Sequence, residues 1–379
     1  MTDIAIAGYA TSGFAGETDK SGNELVLETN MAALDDANIT HEDLDTVMFT
    51  GQDPYDGAAI SDGQKVATAA AYNKPTMRLQ SGGGAAVHQA RAKIRAGKAD
   101  VVTVVAADFV TADPTRLSWT AQEALYHRPF EMNNRKSYGF FAQNYINGTD
   151  ATQEDLAAVA AKNYEAAAEN PKAHRREAYS AEEVLESDPV VSPLTELMLG
   201  PMSYGAAVIV LVSEEIAAEL NDVPGYITGT GMATAKYKYR EMEDRLHQPT
   251  LRDAAANAYD EAGIDADNID AVEMATHAPS FELLGYEALG FCNKGEGPSL
   301  VADGTTAIDG SLPVNASGGP LATSPPNTGG VYRAIAACQQ LQGELGRQAA
   351  DRVLLADNDM HLGEPARTDA LVVLEGGSA

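Results

Sequence analysis

Cysteine is nearly absent: two among 379 residues, Cys292 and Cys338, far apart in sequence. Neither has metal-ligand spacing, so no disulfide framework and no metal site are expected, and both read as reduced core thiols. Cations are scarce as well, 26 Lys and Arg against 55 Asp and Glu, for a formal net charge of −29. The acid is spread along the whole chain and reads as a solvated surface adapted to high salt, where self-repulsion is screened. Nucleic acid is excluded as a partner for such a surface. No long apolar run occurs, and Met1-Thr2-Asp3 leads straight into a strand without a basic n-region. The expectation is a cytoplasmic protein with no signal peptide and no membrane span. Gly229-Thr230-Gly231 lacks the third glycine of a dinucleotide fingerprint.

What is present is a duplication. Ala33-Leu34-Asp35-Asp36-Ala37-Asn38-Ile39 recurs 225 positions later as Ala258-Tyr259-Asp260-Glu261-Ala262-Gly263-Ile264, and each copy continues through an acidic turn to Val47 or Val272. Each predicts a helix closed near Asn38 or Gly263 in the left-handed region, then a strand. Gln80-Ser81-Gly82-Gly83 is echoed by Ala316-Ser317-Gly318-Gly319, and Ala99-Asp100 by Ala350-Asp351. The chain reads as two duplicated α/β halves, 1–222 and 223–379, with mixed, largely buried sheets. Residues 108–198 have no counterpart in the second half and read as an inserted helical subdomain that forms a lid. Its helix 153–168 opens at Thr152 as N-cap.

Chemistry centres on Met77-Arg78-Leu79-Gln80-Ser81-Gly82-Gly83-Gly84, a strand end, a glycine turn and a helix start. A serine there stands at the positive end of a helix dipole among free backbone N–H groups, which stabilise an alkoxide and a neighbouring oxyanion. An ordinary serine N-cap is the plain alternative. Two histidines, His277 after the strand ending at Met274 and His361 after the last predicted crossover strand, are further candidates.

Several blocks resemble the thiolase superfamily, closest to the archaeal and sterol-carrier-protein types and to haloarchaeal β-ketothiolase catalytic subunits. They are Ala168-Glu169-Asn170-Pro171-Lys172-Ala173, Ser192-Pro193-Leu194, Gly205-Ala206-Ala207-Val208, Leu289-Gly290-Phe291 with Lys294-Gly295-Glu296-Gly297, and Val314-Asn315-Ala316-Ser317-Gly318-Gly319. The resemblance spans essentially the whole chain. It implies an α/β thiolase fold: two mixed-sheet βαβ-rich halves in a five-layered arrangement with the helical loop domain inserted in the first half. The family places a cysteine at the α-helix start after the first glycine turn, a histidine in a Gly-His-Pro turn and a late Cys or His. This chain departs from that set: Gln80 or Ser81 holds the cysteine place and Ser324-Pro325-Pro326 replaces Gly-His-Pro, while His361 stands where the late Cys or His is placed. Cys292 lies where the family has no nucleophile.

The resemblance implies Claisen condensation of acetyl-CoA with acetyl- or propionyl-CoA, or the reverse thiolysis, through an acyl-serine, serving polyhydroxyalkanoate or mevalonate synthesis. Ser81 is the expected nucleophile, His361 its base, and the N–H groups of Ser81 and Gly363 the first oxyanion site; His277 polarises the second thioester. Asn315 and Gly318 are candidate turn and oxyanion residues. A glutamine nucleophile position (Gln80) points instead to decarboxylation without condensation. Lys236, Lys238 and Arg240, with Tyr237 and Tyr239 between them, read as a coenzyme A phosphate patch or as an interface strand. No cofactor is held permanently. The expected partners are acyl-CoA, a second copy in a homodimer core, and a small OB-fold zinc-ribbon protein in a hetero-oligomer. The rival reading is a non-catalytic thiolase-fold subunit that binds acyl-CoA or acts as a scaffold.

Overall fold

The computed structural model describes residues 4–53, 62–109, 113–235, 246–346, 349–358 and 368–377. Its strands are β1 (Ile4–Thr11), β2 (Thr46–Thr50), β3 (Thr76–Leu79), β4 (Val101–Asp108), β5 (Pro189–Val191), β6 (Leu194–Thr195), β7 (Gly205–Val212), β8 (Gly225–Thr234), β9 (Ala271–Met274), β10 (Arg352–Asn358) and β11 (Thr368–Glu375). β5 and β6 form a small hairpin, and the other nine make one sheet in the order β3-β2-β4-β7-β1-β8-β11-β10-β9. β2 is parallel to β3 and β4, and β9 to β10; the remaining pairs are antiparallel.

The sheet repeats itself about its centre. β2-β4-β7-β1 and β9-β10-β11-β8 have the same order and the same senses, and a parallel bridge from Val272 to Val314 stands where β3 stands. The two sets are not separate sheets: Ile4–Ile6 pairs with Gly225–Ile227 and joins them.

The seven longest helices among the described residues are α1 (Gly22–Asp36), α2 (Gly83–Arg95), α3 (Asn134–Gly148), α4 (Gln153–Ala168), α5 (Pro249–Ala262), α6 (Pro279–Leu289) and α7 (Gly329–Leu341). Strand alternation sorts the core into layers. Val102, Val104, Val353 and Leu355 point inward onto α2 (Ala86, Val87, Ala90) and α7 (Val331, Ile335). Val101 and Val105 point outward to α1 (Leu25, Val26, Leu34). Leu354, Leu371 and Val373 point outward to α5 and α6, against which α3 and α4 also pack. Helix, strand set, helix pair, strand set, helix: five layers result, the two joined strand sets enclosing α2 and α7. β4 and β7 are buried along their whole length, as strands covered on both faces must be.

Local signals act as their chemistry dictates. Asn38 (φ 52) and Gly263 (φ 72) close α1 and α5 in the left-handed region. Thr152 and Asp155 form a reciprocal capping box at α4. The central helices approach so closely that a Cβ on Gly83 would lie 2.2 Å from the Val331 nitrogen.

The halves also exchange caps. Asp108, ending β4, accepts from the backbone N–H groups of Asn327 and Thr328 at the start of α7. Asp357, near the end of β10, accepts from Gly84 N in the first turn of α2 at 2.8 Å. Among the described residues no helix is long and apolar enough to cross a membrane.

Candidate active site

α2 has no side-chain cap of its own. Its N-cap is Gly82, in extended conformation, so Ser81 lies one residue outside the helix and does not act as a plain N-cap. Asp357 takes that part from across the molecule, and its other oxygen pairs with Arg333. A Cβ on Gly82 or Gly330 would lie 2.4 or 2.1 Å from Asp357 Oδ2. Glycine is required there to admit the carboxylate. The positive end of α2 therefore already faces a resident anion.

The Ser81 carbonyl accepts from Thr50 Oγ1 at 2.7 Å, and among the described residues its Oγ makes no hydrogen bond. Gln80 is exposed and turns its amide to Asp53 Oδ2 at 3.0 Å. Asp53 in turn pairs with Arg78.

Beside this turn lies a small open cavity walled by Gly82, His277, Asp357, Asn358, Arg333 and the Ser324–Asn327 segment. Gly82 is the wall residue from the turn; Gln80 and Ser81 are not among the described walls. His277 is buried, its Nε2 lies 3.1 Å from Asn358 Oδ1, and its ring is stacked on Tyr138 with centroids 5.8 Å apart. Pro325 and Pro326 supply an apolar part of the wall. That segment is held from behind: Ser324 N donates to Ser203 Oγ at 3.1 Å, and Ser203 Oγ bonds His174 Nδ1 at 2.9 Å.

Asn315 and Gly318 form the matched turn of the second half. Asn315 (φ 58) is fully buried; its Oδ1 accepts from Met274 N, and its Nδ2 donates to Thr276 Oγ1 and Glu282 Oε2. Its amide is committed inside the protein, which gives it a turn-holding role. A Cβ on Gly318 (φ 89) would meet Ala167 Cβ at 2.5 Å. Glu282 is paired with Lys162 at 3.0 Å. Glu273 receives Ser317 N, Ser317 Oγ and Gln340 Nε2. Burial nevertheless pushes its carboxyl up to about 7, against the pull of Ser317.

His361, Gly363, Lys236, Lys238 and Arg240 lie outside the described residues. Cys292 is half-buried, and burial, then Glu287 and Glu296, pushes its thiol up to about 12; it is no thiolate at neutral pH. Cys338 is wholly buried on α7. Among the described residues no group of His, Cys, Asp and Glu could hold a metal. Sequence reasoning missed Asp357, Asn358, Arg333 and Tyr138. One signal was available: two polar residues end the apolar run Val353–Ala356, at the strand terminus where ligands gather in α/β sheets.

The fold is one of duplicated α/β halves, and the candidate site lies at strand ends beside a glycine turn. Residues 9–188 match the family model described as Thiolase, N-terminal domain, and residues 231–374 the one described as Thiolase C-terminal domain-like. An acetyl-CoA acetyltransferase of Methanothermobacter thermautotrophicus is 29% identical over 365 residues, 93% of this chain and 94% of the relative. That of Methanocaldococcus jannaschii is 30% identical over 334 residues, 84% of each. A solved structure described as Ltp2-ChsH2(DUF35) aldolase superposes with a TM-score of 0.82 at 26% identity, covering 99% of this chain and 98% of that one. The chain belongs to the thiolase family, and within it to the acyltransferase enzymes.

Proposed function

We propose that this enzyme is a β-ketothiolase that condenses acetyl-CoA with acetyl- or propionyl-CoA, or runs the reverse thiolysis, through an acyl-serine on Ser81. His361 takes the Ser81 proton, the Ser81 and Gly363 N–H groups hold the first oxyanion, and His277 works on the second thioester. Lys236, Lys238 and Arg240 bind the coenzyme A phosphates. The halves divide at 222/223, and 108–198 closes over the site. The observation that supports the reading is the convergence on one cavity of Gly82 from the α2 turn, His277 after β9 and Asn358 at the end of β10. The acyl-serine is an oxygen ester, less activated than a thioester, so its second half-reaction is the slower.

The same reading includes a second copy of the chain and a small OB-fold partner. The solved relative described with a DUF35 chain supports such a partner. That relative is named an aldolase, which favours a second reading: carbon–carbon cleavage in this cavity without an acyl-enzyme. Incubation with acetyl-CoA followed by intact-mass measurement separates the two. A mass gain of one acetyl group that survives cysteine alkylation and vanishes in Ser81→Ala supports the thiolase reading. No adduct in the presence of the partner, with coenzyme A still bound, overturns it and leaves cleavage or a scaffold role.

A further inference from the structure

Glu273 stands in β9 and is wholly buried. Among the described residues its hydrogen-bond partners are all neutral. Oε1 accepts from Ser317 N at 3.0 Å and from Gln340 Nε2 at 2.9 Å, and Oε2 lies 2.6 Å from Ser317 Oγ. We propose that Glu273 is a positioning residue that exchanges a proton with solvent in the working enzyme, and whose ionised form locks the Asn315–Gly319 turn that carries Pro320 of the cavity wall. Its effect on acetyl transfer rests on the thiolase reading of the cavity.

A carboxylate only accepts, and a hydroxyl has one proton to give. With Glu273 ionised, Ser317 Oγ donates to Oε2 and accepts from Gly319 N at 3.1 Å. With Glu273 neutral the added proton lies on Oε2, because Oε1 already faces two N–H donors. Oε2–H then donates to Ser317 Oγ, and the hydroxyl must either leave its own proton unpaired or give up Gly319 N. Ser317 is buried, so water does not make up the loss. Desolvation thus disfavours the charged form and the displaced hydroxyl proton disfavours the neutral one. Burial outweighs the Ser317 bonds and pushes the carboxyl up to about 7, which places the exchange near neutral pH.

The turn leads directly to the cavity. Gly318 (φ 89) and Gly319 (φ 56) follow Ser317 in the left-handed region, and Pro320 after them lines the cavity. Asn170 Nδ2 holds the Ser317 carbonyl at 2.9 Å and donates to Tyr332 Oη at 2.6 Å. The Ser317 backbone is therefore anchored, and its hydroxyl is the part that responds to the proton. The charged and titratable groups that face Glu273 are Arg333 and Tyr332 on α7 and Lys162 on α4. Burial pushes the Tyr332 phenol up, so it stays neutral. Arg333 is matched by Asp357 and Lys162 by Glu282, so each cation has its own carboxylate and neither is a direct countercharge for Glu273.

The test is infrared difference spectroscopy of the full chain from about pH 5 to about pH 9, which reads a protonated carboxyl directly. The expected result is a buried carboxyl band that fades through about 7 and is missing in Glu273→Gln. Ser317→Ala removes a donor to the ionised form and is expected to move the fading up by about one pH unit or more. A native protein with no such band, or a Ser317→Ala band that does not move, overturns the proposal, and neither result needs Glu273→Gln to fold. Acetyl transfer is measured over the same range. It is expected to rise with pH through the same midpoint, and Glu273→Gln, whose amide N–H repeats the neutral form's donor to Ser317 Oγ, is expected to keep the low-pH rate throughout. A pH profile unchanged in Glu273→Gln overturns the positioning role. A band that titrates as expected with no transfer at any pH counts against the thiolase reading alone.

Discussion

Replacing Asp357 by Asn keeps shape and removes one buried charge. The carboxylate is 1% exposed and its partner Arg333 6%, so solvent does not compensate the guanidinium left behind. Breaking such a pair from one side costs about 3–5 kcal/mol. The N-terminal field of α2 loses its anion as well, a term of up to about 2 kcal/mol in buried geometry. An asparagine oxygen still accepts from Gly84 N, which offsets part of this. The expected net loss is about 3–5 kcal/mol, read from urea unfolding. At a slope of about 3 kcal/mol/M the midpoint falls by roughly 1–2 M. Adding Arg333→Met to Asp357→Asn removes the orphaned charge, so the double variant is expected to be more stable than Asp357→Asn alone. A single-variant loss below about 1 kcal/mol, or a double variant that is simply additive, refutes the reasoning that this pair is a coupled buried unit.

Glu273 gives a pH signature. Burial pushes its carboxyl up to about 7, so its contribution to stability is full below the ordinary glutamate range and is lost as pH rises through about 7. The change is on the order of 3 kcal/mol, and Glu273→Gln is expected to flatten that slope in unfolding curves measured from pH 4 to 8. Gly83→Ala puts a Cβ 2.2 Å from the Val331 nitrogen, whereas among the described residues a Cβ on Gly63 has nothing within 4 Å. The first is expected to cost about 3 kcal/mol or more, the second to stay within about 0.5 kcal/mol, by the same measurement. Asn315→Ala leaves Met274 N and part of the Glu282 cluster unpaired in a fully buried site. It should cost about 2–4 kcal/mol of thermal or urea stability.

The repeat and its caps are legible in the sequence because they are local. Asn38 and Gly263 stand where a helix must turn left-handed, and Thr152 stands three residues before the aspartate that completes its capping box. Much of the cavity is not legible in the same way. Asp357 and Gly84 are 273 positions apart, and no local pattern says that a strand-end carboxylate caps a distant helix. The glycine turn looks alike whether Ser81 or Gly82 precedes the helix. Its register is set by Asp357, which leaves no room for a side chain at Gly82. Asn315 reads as an open polar residue in a turn, and only packing shows that its amide is fully used.

The exchanged caps carry a consequence for how this molecule can be divided. Asp108 of the first half closes the start of α7 in the second, and Asp357 of the second closes the start of α2 in the first. Cut between the halves, each fragment would keep a helix with unsatisfied N–H groups and a carboxylate without its donors. The duplicated unit has thus given up its independence: neither fragment is a self-sufficient ancestor in miniature, and the two are expected to fold only together, whether joined in one chain or reassembled from two.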